Sequence, residues 1–142
     1  MTMLTNYQKN LSEIFGAALA ASDPYQAVHN SAMLAGERLQ LGENSYCLDA
    51  FKRILVIGAG KATARMALAM EEILGARIAA GLIVVKDGHT AKLSFVEQVE
   101  ASHPIPNQAG KEGTRRIFRP PDLRIDKSMG YCILSDLFVN IR

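Results

Sequence analysis

Lys61 closes a Gly58-Ala59-Gly60-Lys61 turn that follows the apolar run Ile54-Leu55-Val56-Ile57 and leads into a helical pattern. A strand, a glycine turn and a helix start bring backbone N–H groups and the positive end of a helix dipole toward one point, where an anion can bind. Two known cradles can be tested against this spacing. The dinucleotide fingerprint needs a small residue three positions after its second glycine and an acid ending the following strand; here those positions hold Thr63 and Lys86. The ATP P-loop needs a glycine five residues before Gly60, where the chain has Leu55 inside the apolar run. Neither fits. What remains is a short turn with a lysine at a helix N-terminus, where its charge opposes the helix dipole. A residue in conflict with its local electrostatics points to work on a phosphate or carboxylate, and a plain exposed helix-start lysine is the alternative.

Two further polar stretches follow apolar runs. Lys86-Asp87-Gly88-His89 ends "GLIVVKDGH", and His103 precedes Pro104 in "ASHPIPNQAG". Both histidines read as loop residues with neither a partner nor a metal spacing fixed by the sequence, and Asp87 serves equally well as a turn residue. Cys47 and Cys132 are isolated, with no Cys-x-x-Cys pair and no ligand cluster, which fits a reduced compartment and gives no metal site.

Positioning these groups requires strands and crossover helices. Leu4, Tyr7, Leu11, Ile14, Phe15, Ala18 and Leu19 recur at helical spacing and predict a first helix. Asp23 and Pro24 suit the start of a second, whose face Tyr25, Val28, Ala32, Ala35 and Leu39 carries it to near Gly42. A polar connection leads to a fully buried strand over 54–57. A helix over 61–74 follows, with Met66, Ala67, Met70, Ile73 and Leu74 inward and Arg65, Glu71 and Glu72 exposed; Gly75 stops it. A second buried strand spans 81–85. A third, over 94–102, alternates enough to lie nearer an edge. Two prolines keep the next segment extended, and Asn107 caps a helix over 108–118. This rhythm belongs to an α/β sheet with a parallel core, and right-handed crossovers bring 58–61 beside 86–89 at the carboxyl ends of the strands.

The bulk properties narrow the function classes. A chain of 142 residues with 49% hydrophobic and 21% charged residues is one ordinary globular domain. Its net charge of +2 gives no case for nucleic acid or a membrane surface as partner. The run "IFGAALAAS" resembles a signal-peptide end but follows Glu13, and a helix accounts for it better. With no apolar stretch near the ~20 residues that span a bilayer, the expected location is the cytoplasm. Charge is uneven: residues 1–110 carry 9 basic and 10 acidic groups, residues 111–142 carry 7 and 4.

In their order and spacing, "DPYQAV", "LVIGAGKA", "MALAMEEILG", "GLIVVKDGH", "VEASHPIPNQAG" and "TRRI" resemble the N-terminal domain of the glycerate 2-kinases, a family sometimes labelled hydroxypyruvate reductase. The resemblance covers about residues 11–118. It implies a Rossmann-like three-layer α/β/α domain with two N-terminal helices and a cleft in which ATP, with Mg2+, phosphorylates D-glycerate to 2-phosphoglycerate. On that analogy Lys61 is the catalytic lysine steadying transferred charge, and Gly58, Ala59 and Gly60 form the backbone that approaches the cofactor. Lys86, Asp87, His89 and His103 line the same substrate cleft.

Past residue 118 the chain departs from the family, which continues into a Gly-rich, Ser-containing loop and a second domain. The expected organisation is therefore a partial family domain over 1–118 and a divergent tail over 119–142. "MGYCILSDLFVNI" remains able to add a strand at the sheet edge. A fragment lacking most of the cleft is expected to be inactive alone, which leaves its standing as an enzyme open. The alternatives are a phosphate- or nucleotide-binding module without catalysis, with a homodimer among its partners, and an NAD(P)-dependent reductase, which both motif tests above disfavour.

Overall fold

The structure is a computed structural model; it describes residues 3–118, 129–135 and 138–141, with side chains over 6–118 and 130–134. Helix α1 spans Met3–Ala21 and α2 spans Pro24–Ser31. Asp23 caps α2 as its spacing suggested, accepting a hydrogen bond from the Tyr25 N–H at 3.0 Å, with Pro24 at the first turn.

The second helix does not continue to Gly42. It ends at Ser31, whose hydroxyl donates back to the Ala27 carbonyl at 2.7 Å, and the chain then forms a three-stranded antiparallel meander. Its strands are β1 (Ala32–Ala35), β2 (Arg38–Leu41) and β3 (Asn44–Cys47). Gly36 and Gly42 open its two hairpin loops with φ of 59° and 54°, a left-handed conformation that side chains resist. Ala32 and Leu39, read as one helical face, are instead buried from neighbouring strands, with Leu41 beside them. Two Gly-Glu pairs flanking an alternating Arg-Leu-Gln-Leu segment were the legible signal, and helical spacing masked it.

The main sheet has the order β6-β5-β4-β7-β8. Strands β4 (Arg53–Ala59), β5 (Ile78–Lys86), β6 (Val96–Ala101) and β7 (Met129–Ser135) run parallel, and β8 (Phe138–Ile141) pairs antiparallel with β7. The third strand does lie at one edge, and the segment past residue 118 adds β7 and β8 on the other side of β4. Helix α3 (Thr63–Leu74) crosses from β4 to β5. Its Ala64, Ala67, Met70 and Leu74 form one core with Ile54 and Val56 of β4, Ile83 and Val85 of β5, Cys132 and Leu134 of β7, and the meander's Leu39 and Leu41. Helix α4 (Gln108–Phe118) covers the opposite face, where Gly113 lies so close to Val84 that an added Cβ would come within 2.7 Å of it. The result is the three-layer α/β arrangement with a parallel sheet.

Glu71 corrects the exposed face assigned to α3. It is buried, and its carboxylate accepts from the backbone N–H groups of Ser94, Phe95 and Val96 at 2.7, 2.7 and 2.8 Å. Those donors begin β6 before its ladder with β5 takes over, so a carboxylate from a neighbouring helix supplies their acceptors. Cys132 sits under α3, and burial pushes its thiol up to about 12, which keeps it protonated and inert.

Candidate functional site

Strands β4, β5 and β6 end side by side, and a cavity of about 130 Å³ opens there. It is lined by Ala59, Gly60 and Lys61 from the β4–α3 turn, Val84, Val85 and Lys86 from β5, and Ala101, Ser102 and His103 after β6. Five of the sequence-derived candidates thus meet in one place: Ala59, Gly60, Lys61, Lys86 and His103. Lys61 and His103 are exposed at the rim and Lys86 is half-buried. Among the described residues no acid lines the cavity, and the two ammonium groups and the start of α3 give it positive charge.

The turn is built by competing demands on its glycines. Gly60 has φ 127°, open to glycine and strained for other residues, and donates its N–H to the Val84 carbonyl at 3.0 Å. That bond ties the turn to β5 and occupies an amide that a phosphate loop would aim at the ligand. Gly58 lies in the sheet: a Cβ there would stand 2.4 Å from the Leu134 carbonyl oxygen and 2.6 Å from Thr63 Cγ2. The missing side chain therefore lets β7 and α3 close over β4.

Helix α3 begins at an alanine N-cap, whose own side chain offers no acceptor, and has no acid in its first turn to set against the positive end of its dipole. Thr63, its first residue, is completely buried, and its hydroxyl has no hydrogen-bond partner among the described residues. A buried hydroxyl left unpaired costs about 1–3 kcal/mol, which makes this residue unusual among buried polar groups.

Asp87 and His89 are exposed and do not line the cavity. Their backbones serve the β5–β6 connection: Asp87 N–H donates to the Ala101 carbonyl and His89 N–H to that of Lys86. The Glu100 carboxylate accepts from Gly88 N–H at 2.6 Å and so holds the same turn. Ser102 is a lining residue that sequence reasoning missed; its place immediately before His103 was the available signal. Among the described residues no three His, Cys, Asp or Glu side chains cluster as metal ligands, and no helix is long and apolar enough to cross a membrane.

Comparison with known proteins adds relatives to this geometry. A family model described as "Domain of unknown function (DUF4147)" matches residues 10–128. The chain is 31% identical over 102 residues to a glycerate 2-kinase of Pyrococcus horikoshii, covering 72% of this chain and 22% of that protein. It is 34% identical over 108 residues to an Agrobacterium vitis protein carrying a hydroxypyruvate reductase name, covering 76% and 22% respectively. Among solved structures, a glycerate kinase of Thermotoga maritima superposes with a TM-score of 0.68 at 26% identity, over 91% of this chain and 28% of that one. The chain thus spans about a fifth of the length of the curated relatives it matches.

Proposed function

This chain belongs to the DUF4147 family, and on that premise we propose that it forms the N-terminal, anion-binding wall of a glycerate 2-kinase cleft. The reaction is phosphoryl transfer from ATP to D-glycerate in the cytoplasm. The substrate's 2-hydroxyl oxygen forms a bond to the γ-phosphorus, the bond from that phosphorus to the ADP oxygen breaks, and the hydroxyl proton leaves to solvent or a base. One observation carries the reading: Lys61, Lys86 and His103 converge on a cavity at the carboxyl ends of parallel strands, beside the start of a helix with no acid in its first turn.

Such a site suits phosphoryl transfer because that chemistry asks the protein mainly for positioning and for stabilisation of charge. Lys61 is the group for the transferred phosphoryl, since it stands where β4 gives way to α3 and adds its charge to the helix dipole. Lys86, half-buried on β5, gives a second positive charge for a phosphate or for the substrate carboxylate. The donor set fits the anionic end of ATP. Magnesium, implied by the family resemblance, finds no ligand set among the described residues, and no step is assigned through it.

A nicotinamide-dependent reductase is the reading attached to the Agrobacterium name. Thr63 and Lys86 stand where that cofactor's pyrophosphate and ribose require a small residue and an acid, so the kinase reading is preferred. Calorimetric titration of the 142-residue chain with ATP and with 2-phosphoglycerate tests it. Lys61→Ala is expected to weaken binding roughly ten- to a hundredfold, the effect of one lost charged hydrogen bond. Unchanged binding in that variant removes the assigned site, and tight NADH binding by the parent chain restores the reductase.

A further inference from the structure

Every described side chain of α1 is exposed, although the helix is 19 residues long and amphipathic. Tyr7, Leu11, Ile14, Phe15 and Leu19 are each more than half exposed. In proteins most of a helix's stability comes from packing its apolar face rather than from propensity, and α1 has neither an acid in its first turn nor a base in its last to favour it. Its stability must come from burying that face.

We infer that two copies of this chain pair through α1, packed antiparallel along the Tyr7-Leu11-Ile14-Ala18 seam. These four residues are spaced four, three and four apart, the interval at which a helix keeps one narrow seam toward a partner helix. The order of sizes along the seam sets the direction. Its N-terminal end is large and its C-terminal end small, so an antiparallel partner puts Tyr7 opposite Ala18 and Leu11 opposite Ile14. A parallel partner sets Tyr7 against Tyr7 and leaves Ala18 facing Ala18 across a gap, which close-packed interfaces avoid. Antiparallel alignment also opposes the two helix dipoles favourably. Lys9 and Glu13, the charged residues of α1, form an i,i+4 pair at 3.8 Å and lie off the seam.

The area is sufficient. Tyr7, Leu11 and Ile14 on the seam and Phe15 beside it, each more than half exposed, present on the order of 500 Å² of apolar surface per copy. That is within the upper part of what monomers leave exposed, about 300–600 Å², and twice it reaches the roughly 1,000 Å² that a biological interface needs.

Size-exclusion chromatography with light scattering on the full chain reads the outcome. The expected mass is twice the 15.5 kDa of one chain, falling to the single value in Leu11→Glu with α3 and the sheet still folded by circular dichroism. A monomeric parent chain, or a dimer that survives Leu11→Glu, overturns the proposal; the second result moves association to a sheet edge. Direction is read by oxidative cross-linking in a Cys47→Ser background, which removes the exposed native thiol. Mixed Tyr7→Cys and Ala18→Cys chains are expected to form a heterodimeric disulfide while neither variant alone cross-links. Cross-linking of Tyr7→Cys with itself rejects the antiparallel arrangement.

Discussion

Single residues carry more of this fold than helix and strand patterns suggest, and Glu71 is the clearest instance. Its place next to Glu72 in the sequence makes it look like part of a solvated acidic pair, yet it reaches across to the three backbone N–H groups at the start of β6. The Val96 bond is buried and the other two are part-buried, so removing the charge leaves these donors with a weaker acceptor. Glu71→Gln is expected to lower stability by about 1–3 kcal/mol in urea unfolding, because hydrogen bonds to a charged acceptor are worth that much more than neutral ones. A loss below about 0.5 kcal/mol, the size of an ordinary surface change, means the carboxylate is not what holds the strand start. Lys61 and Thr63 belong to the same scale: the lysine was legible from its conflict with the helix dipole, whereas the burial of Thr63 depends on how closely Gly58 lets α3 approach.

At the scale of elements, α2 and α3 are held together by a polar clasp on the surface. The Glu72 carboxylate accepts from the Tyr25 hydroxyl and lies 3.0 Å from His29 Nε2, while Arg65 contacts both Asp23 carboxylate oxygens and stacks 5.3 Å from the Tyr25 ring centre. The Tyr25 hydroxyl, then His29, holds Glu72 below the usual carboxylate range; the Arg65 guanidinium does the same for Asp23. A carboxyl with a lowered folded value adds stability above its ordinary range, and that stability is lost as pH falls through the folded value. Melting temperature is therefore expected to stay level above about pH 5 and to drop below about pH 4. In Glu72→Gln the drop is expected to be shallower, as followed by circular dichroism; an identical acid profile excludes Glu72 from the linkage. None of these partnerships is visible in sequence, since Glu72 lies 47 residues from Tyr25 and 43 from His29.

For the whole molecule, enclosure is the limiting property. A cavity of about 130 Å³ with Lys61 and His103 exposed at its rim accepts an anionic group, whereas pockets that bury most of a small ligand hold about 300–1,000 Å³. Effective phosphoryl transfer needs both substrates oriented and water excluded. The purified chain is therefore expected to bind phosphate-bearing ligands and yet give no detectable ATP-dependent phosphorylation of D-glycerate in a coupled assay. Turnover that Lys61→Ala abolishes means that the chain, alone or paired, assembles a working cleft after all.

By itself the sequence determined the parallel core and the place of the candidate site. Uninterrupted apolar runs at 54–57 and 81–85 admit burial on both faces, and turns at strand ends must gather where the strands end. It also marked Lys61, Lys86 and His103, because polar residues directly after buried strands have few positions open to them. Tertiary structure alone decided that residues 32–47 form strands, that Glu71 is buried and that Asp87 and His89 stand outside the cavity. Each of these turns on which distant segment supplies the neighbour. Helical spacing in Ala32, Ala35 and Leu39 is compatible with either structure until two left-handed glycines and a packed α3 select one. A carboxylate on a helix is a surface group until an adjoining strand brings it three unpaired N–H donors.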